Sequence, residues 1–279
     1  MDKRLDTTTC YRHPDRVTRL HCSRCGKPIC AECSHDAAVG QQCPDCARPE
    51  GRHRVVTARE ALAGPSFATA PVTFTIISIT VAVFALGFLS TDLDNELVRR
   101  FASFNPLIAD GESWRILTSA FLHGGLMHIL FNMYALYLFG PRLEREAGSV
   151  PFALLYFAAA AGGGAASYFF GPWNVISVGA SGAIFGLFGA WIYVAFLLRH
   201  TAQGRAMFNQ LGLLLVINLA LPFIVPNIDW RAHMGGLATG IVIAAGWNQF
   251  ASGRPDAVRI RTMVGATVFA AILALVLFV

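Results

Sequence analysis

The sequence predicts an all-α polytopic membrane protein preceded by a small cysteine-rich domain. Three observations predict it. The 279 residues are 54% hydrophobic and only 14% charged, and a mean hydropathy of +0.51 excludes an ordinary soluble domain. From about residue 71 onward, apolar runs of roughly 18–22 residues recur, the length a helix needs to cross a bilayer. All seven cysteines lie in the first 46 residues, ahead of those runs. The chain thus divides into a module at 1–46, a basic linker at 47–69 and a membrane domain at 70–279. The N-terminus leads into polar sequence and does not read as a cleavable signal peptide.

In the N-terminal module the cysteines come in pairs. Cys10 and His13 are followed by Cys22 and Cys25, Cys30 and Cys33, and Cys43 and Cys46. Two intervening residues let both side chains of a tight turn reach one metal, and eight such ligands suit two tetrahedral zinc ions. Disulfides or a redox pair fit less well, because four successive knuckles carry an odd number of cysteines. The expectation is two structural zinc ions in closed sites, with the metal supplying folding energy to a module too short to bury a core. Spacing leaves open which knuckles combine. The arrangement resembles B-box and related cross-brace zinc fingers, in which alternate knuckles share a metal. That resemblance implies one ion on Cys10, His13, Cys30 and Cys33 and another on Cys22, Cys25, Cys43 and Cys46. His21 and His35 read as surface histidines. Residues 1–70 hold eleven Lys/Arg against eight Asp/Glu without a dense basic stripe, so a cytoplasmic protein partner is expected and nucleic acid is not.

Seven spans are expected in the membrane domain, at about 71–90, 117–140, 150–170, 181–198, 207–225, 232–249 and 262–279. Pro71 suits a first helical turn. With the N-terminus inside, the inner side carries Arg142, Arg145, Arg199, Arg205, Arg254, Arg259 and Arg261 besides the N-terminal cations. The outer loops carry only Arg99, Arg100, Arg115 and Arg231. The positive-inside rule therefore predicts a cytoplasmic N-terminus and an extracytoplasmic C-terminus, in the cell membrane. That keeps the cysteines in a reducing compartment.

No Lys, Arg, Asp or Glu falls well inside an expected span, which disfavours an ion-coupled transporter or channel. The polar residues that remain include His123, His128, Asn132, Ser181, Asn218 and His233. His128 and Asn132 are four apart and share a helix face. The second, fourth and sixth spans all begin on the same side, so His128, Ser181 and His233 share one depth. Gly182, Gly186 and Gly189 on the fourth span and Gly236 and Gly240 on the sixth allow close helix approach. If those faces pack, Ser181 and His233 come within hydrogen-bonding reach.

Here the chain resembles the rhomboid family of intramembrane serine proteases, over about residues 114–246. The motifs are "WR" at Trp114 and Arg115; "HGGLMHILFN" through His123, His128 and Asn132; "YLFGPRLEREAG" through Gly140, Glu144 and Gly148; "GASG" through Gly179, Ser181 and Gly182; and "AHMGGLATG" through Ala232, His233, Gly236 and Gly240. The resemblance implies a rhomboid-like six-helix core plus a seventh C-terminal transmembrane helix, and peptide-bond hydrolysis by a Ser181–His233 dyad through an acyl-enzyme. His128, Asn132 and the Ser181 backbone N–H suit an oxyanion hole. Phe185, four after the serine, is expected to pack on the histidine, and Asp229 is not expected to orient it. Trp114, Arg115, Glu144 and His123 are expected to support loops and turns. No cofactor is expected for catalysis. Substrates are expected to be transmembrane proteins cut near the outer boundary, with lipid as surroundings and lateral entry beside the fifth span, where Pro222 and Pro226 mark a yielding end. The alternative is a catalytically silent rhomboid-like protein that binds membrane clients. Loss of Ser181 or His233 would mark it, and both are present.

Overall fold

The computed structural model describes residues 8–36, 40–47, 64–225 and 228–278. Most of the expected linker, and Pro226, lie outside them. The chain forms two compact units, Met1–Gly64 and Pro65–Val279.

The first unit is two small antiparallel hairpins. Strand β1 (Thr8–Thr9) pairs with β2 (Val17–Thr18), and β3 (His35–Asp36) pairs with β4 (Gln41–Gln42). Between them runs a single 3-10 turn, Ala31–Cys33. Its buried apolar cluster is five cysteines, Cys10, Cys22, Cys30, Cys33 and Cys43, around Ile29. Burying one isoleucine stabilises by about 3 kcal/mol at most, whereas ordering backbone costs about 1–2 kcal/mol per residue. Apolar burial alone does not hold this unit together.

The second unit is a helical bundle. Its long helices are α1 (Pro71–Leu89), α5 (Leu126–Ala147), α6 (Ser149–Phe170), α7 (Ser181–Leu197), α8 (Ala202–Ala220), α9 (Trp230–Ala251) and α10 (Ala257–Leu277). Short helices α2 (Thr91–Phe101), α3 (Asn105–Ala109) and α4 (Arg115–Thr118) fill the connection from α1 to α5. Four of the long helices, α1, α6, α8 with its 3-10 extension, and α10, are long and apolar enough to cross a membrane. A fifth span arises if α4 and its 3-10 extension count with α5, to which they are bent by 96°. Helix α7, at 17 residues, is short for a span but is largely enclosed by neighbours, which take the place of lipid around it.

The second span therefore starts later than the 117–140 expected from hydropathy. Residues 115–121 form a separate bent approach, because Gly124 and Gly125 interrupt the helix where glycine carries the greatest backbone-entropy cost. The stretch read as a plain outer loop holds α2 instead. Ser90 caps it by accepting from the Leu93 N–H at 3.3 Å, with Asp92 and Asp94 in its first turn and Arg99 and Arg100 in its last. That polarity complements the helix dipole.

Close backbone approach builds the core. A Cβ on Gly236 would lie 1.9 Å from the Gly182 carbonyl oxygen, and one on Gly240 would lie 1.9 Å from that of Gly186. Only glycine lets α9 rest on α7 at this spacing. Helix α6 packs against both, through Ala159, Gly162 and Gly163. At the far end of α5, buried Glu144 accepts from the Val72 N–H (3.0 Å), the Thr73 N–H (2.8 Å), the Thr73 hydroxyl (2.7 Å) and the Ser149 hydroxyl (2.7 Å). Residue Ala70 cannot cap α1 with its side chain, so Glu144 satisfies its first-turn donors from another helix.

Candidate active site and metal centres

Ser181 is the first residue of α7, and the chain enters it under restraint. Strand β5 (Ser103–Phe104) pairs antiparallel with β6 (Ile176–Ser177). Two residues on, the Gly179 N–H donates to the Ser119 carbonyl at 2.9 Å. Gly179 has φ +130°, and a Cβ there would sit 2.7 Å from the His128 ring and 3.8 Å from Ser181 Oγ. The glycine thus allows both the turn and the approach of His128.

His233 lies in the first turn of α9, 8% exposed. Its Nε2 is 2.9 Å from Ser181 Oγ. The Phe185 ring stacks on the imidazole with centroids 4.1 Å apart and planes 10° from parallel. Nδ1 of His233 is buried with no hydrogen-bond partner among the described residues. The Asp229 carboxylate turns elsewhere, to the Ser167 and Ser177 hydroxyls and the Ala232 N–H. A serine hydroxyl within 3 Å of an imidazole nitrogen has the geometry for proton transfer to that nitrogen.

The other expected residues divide into those near the serine and those remote from it. His128 lies beside Gly179, at the same end of the bundle. Asn132 is buried, and its amide donates to the His128 carbonyl at 2.9 Å within its own helix. Neither hydrogen-bonds to Ser181 among the described residues. His123 is 8% exposed and precedes α5, its ring edge-on to His128 at 4.9 Å. It lines a cavity of about 260 Å³ with residues of α1 and α2. Arg115 is buried and donates to the Ala102 carbonyl (2.9 Å), the Arg99 carbonyl (3.0 Å) and Glu112 (2.7 Å), closing the end of α2. Trp114 is 50% exposed. Asn218 donates back to the Leu214 carbonyl on its own helix. Sequence reasoning missed the gathering of Ser167 and Ser177 on Asp229. Asp229 caps α9 by accepting from the Ala232 N–H, which is the one signal that marked it.

With the geometry in hand, the likeness to known proteins is informative. The Rhomboid domain family matches residues 110–249, just over half of the chain. This chain belongs to the rhomboid family. It is 39% identical over 175 residues to Rhomboid protease GluP of Bacillus subtilis (strain 168), a stretch that is 62% of this chain and 34% of GluP. It is 38% identical over 141 residues to Putative rhomboid protease YdcA of the same organism, covering 50% of this chain and 70% of that relative. Rhomboid-like protease 1 of Toxoplasma gondii is 36% identical over 164 residues, covering 58% and 56%. The chain therefore spans about a third of the length of GluP. The rhomboid match takes in α4 through most of α9, and so Ser181, His233, Phe185, His128, Asn132, Gly179 and Asp229, though not β5.

The cysteine-rich unit holds two four-residue clusters that could bind metal ions: Cys10, His13, Cys30 and Cys33, and Cys22, Cys25, Cys43 and Cys46. His21 and His35 belong to neither cluster. His13 Nδ1 is 3.4 Å from the sulfurs of Cys30 and Cys33 and 3.8 Å from that of Cys10. The sulfurs of Cys25 and Cys43 are 3.8 Å apart. Tetrahedral zinc with bonds of about 2.3 Å to sulfur and 2.0–2.1 Å to nitrogen requires S···S near 3.8 Å and S···N near 3.5 Å. The donor sets fit. Burial pushes the Cys10 and Cys22 thiols up, but backbone donors outweigh it and hold each at about 6. Burial and the neighbouring sulfurs raise Cys33 to about 11. Donation of the Cys46 thiol to the Cys43 and Cys25 sulfurs, which favours its neutral form, and burial raise it to about 12. Neighbouring thiolates oppose one another's ionisation, and a bound dication would offset that opposition.

Proposed function

We propose that this rhomboid is an intramembrane serine endopeptidase that cuts transmembrane proteins through a Ser181–His233 dyad. The carrying observation is the 2.9 Å contact between Ser181 Oγ and His233 Nε2. The names of relatives from a bacterium and from Toxoplasma gondii support the same reading. Ser181 Oγ attacks the scissile carbonyl as His233 Nε2 takes its proton. The imidazolium then protonates the departing amine, and an acyl-enzyme remains for water to hydrolyse. Oxyanion donors would be the Ser181 N–H at the open start of α7, the His128 ring and the second N–H of Asn132. Phe185 holds the imidazole by its face.

The substrate class follows from chemistry. A peptide in a fully hydrogen-bonded helix conceals its carbonyls, so the substrate is a transmembrane segment with small or helix-destabilising residues near the boundary. Arginine placement supports an N-terminus in the cytoplasm, with Ser181 near the outer face of the cell membrane. The N-terminal unit is a B-box-like module with two structural zinc ions, and a cytoplasmic protein is its expected partner.

The test is cleavage of a model transmembrane substrate by the purified chain in lipid vesicles. Ser181→Ala and His233→Ala should each lower turnover by 10³-fold or more, and a fluorophosphonate should label the wild-type serine. Undiminished cleavage by either variant would rule out the dyad. Absence of cleavage and labelling in the wild type would favour a silent client-binding protein.

A further inference from the structure

We propose that Asp229 is a positioning residue for the reaction, clasping the segment that leads into Ser181 to the segment that leads into His233. The proposal rests on the reading of Ser181 and His233 given above.

The two segments are arranged alike. Ser177 lies four residues before Ser181, and Asp229 lies four residues before His233. The Ser177 hydroxyl donates to Asp229 Oδ2 at 3.1 Å. The Ser167 hydroxyl, on the last turn of α6, donates to the same oxygen at 2.5 Å. The other carboxylate oxygen, Oδ1, accepts from the Ala232 N–H at 3.1 Å and so caps α9. One carboxylate therefore joins α6, β6 and α9 about one turn ahead of both reacting side chains.

The glycine contact between α7 and α9 sets how close the two helices come, and the clasp acts ahead of it, on the segments that lead into them. Between Ser177 and Ser181 only three residues intervene, and one of them, Gly179, is itself pinned to Ser119. The imidazole receives no hydrogen bond at Nδ1 from the described residues. Phe185 fixes the plane of the ring, but the placement of that ring over Ser181 is the placement of the start of α9. A shift of about 1 Å in a reacting pair can cost roughly 10²-fold in rate, so a clasp one turn upstream acts on turnover.

An ordinary helix cap would need only Oδ1. The clasp needs both oxygens, and that difference makes it testable. Asp229→Asn keeps an acceptor for Ala232 and a second polar atom for the two serines. Asp229→Ser keeps a cap but has no second atom to reach them. Asp229→Ala removes both. In the full chain in lipid vesicles, with a transmembrane substrate, Asp229→Asn should hold kcat within about threefold of wild type. Asp229→Ser and Asp229→Ala should lower kcat by about 10²-fold with KM within twofold, and slow fluorophosphonate labelling of Ser181 in step. Asp229→Ser should melt near the wild type. A double Ser167→Ala, Ser177→Ala variant, which leaves the cap intact, should lose about tenfold in kcat and decides the matter if the Asp229 variants fail to fold. Wild-type kcat in Asp229→Ser or in the double variant overturns the clasp. So does an Asp229→Asn variant as slow as Asp229→Ala, or a loss confined to KM. Ser181→Ala run alongside separates the two readings: if it is inactive while the clasp variants are not, only the clasp falls, and if it cleaves like wild type, both fall.

Discussion

At the scale of single residues, the candidate site depends on how Ser181 and His233 are held as much as on what they are. The imidazole has one nitrogen on the serine and one buried without a partner, so its orientation comes from a stacked phenylalanine and from backbone placement. Gly179 has little room for change. A methyl group there would stand 2.7 Å from the His128 ring, at a φ of +130° that side chains avoid. The contact is with the end of the His128 side chain rather than with backbone, so the ring should yield. Gly179→Ala should therefore displace the histidine from its proposed oxyanion position and lower kcat by about 10²-fold, the scale of losing one oxyanion donor. The melting temperature should fall by only a few degrees. Turnover at the wild-type rate would remove His128 from the mechanism.

At the scale of elements, much was legible because membrane helices announce themselves by length and apolarity. Pro71 marks the start of α1 and the glycines mark the α7–α9 contact, which is why the meeting of Ser181 and His233 follows from spacing. The start of α5 was misplaced, since hydropathy does not register that Gly124 and Gly125 break an apolar run. Helix α2, with 11 residues and five of them charged, is too short and polar to register as a span, although its cap and charge order are visible in "STDLDNELVRR". Ser167 and Ser177 could not be joined to Asp229 from sequence, because each is an ordinary polar residue until the fold brings three elements together. Glu144 shows the same at the opposite end of the bundle. Its motif places it at the end of a helix, but its four hydrogen bonds reach the start of α1 and Ser149. Glu144→Ala would strand two N–H groups and two hydroxyls, at about 1–3 kcal/mol for each left buried without a partner. The expected result is a fall of more than 5 °C in the melting temperature of the detergent-solubilised protein. Surviving molecules should still label at Ser181, because the bundle end that carries it is unaffected. A melting temperature equal to wild type would show that Glu144 does not hold α1.

At the scale of the whole chain, two units obey different rules of stability. The helical unit buries a continuous core around α7, whereas the N-terminal unit encloses five cysteines and one isoleucine. On the proposed reading, metal would supply the folding energy of the smaller unit alone. All seven cysteines lie there, so thiol reactivity reports on that unit without interference from the helices. The purified chain should carry close to two equivalents of zinc, with its thiols slow to react. A strong chelator should expose all seven while leaving the helical far-ultraviolet signal nearly unchanged. Pairing of the knuckles adds a sharper expectation. Cys30→Ser should lower bound zinc toward one equivalent and expose Cys10 and Cys33, while Cys22, Cys25, Cys43 and Cys46 stay protected in the other cluster. If neighbouring knuckles shared a metal instead, Cys30→Ser would leave Cys10 protected and expose Cys43 and Cys46. Mapping the labelled cysteines by mass spectrometry distinguishes the two, and thiols equally reactive before and after chelation would exclude bound metal altogether.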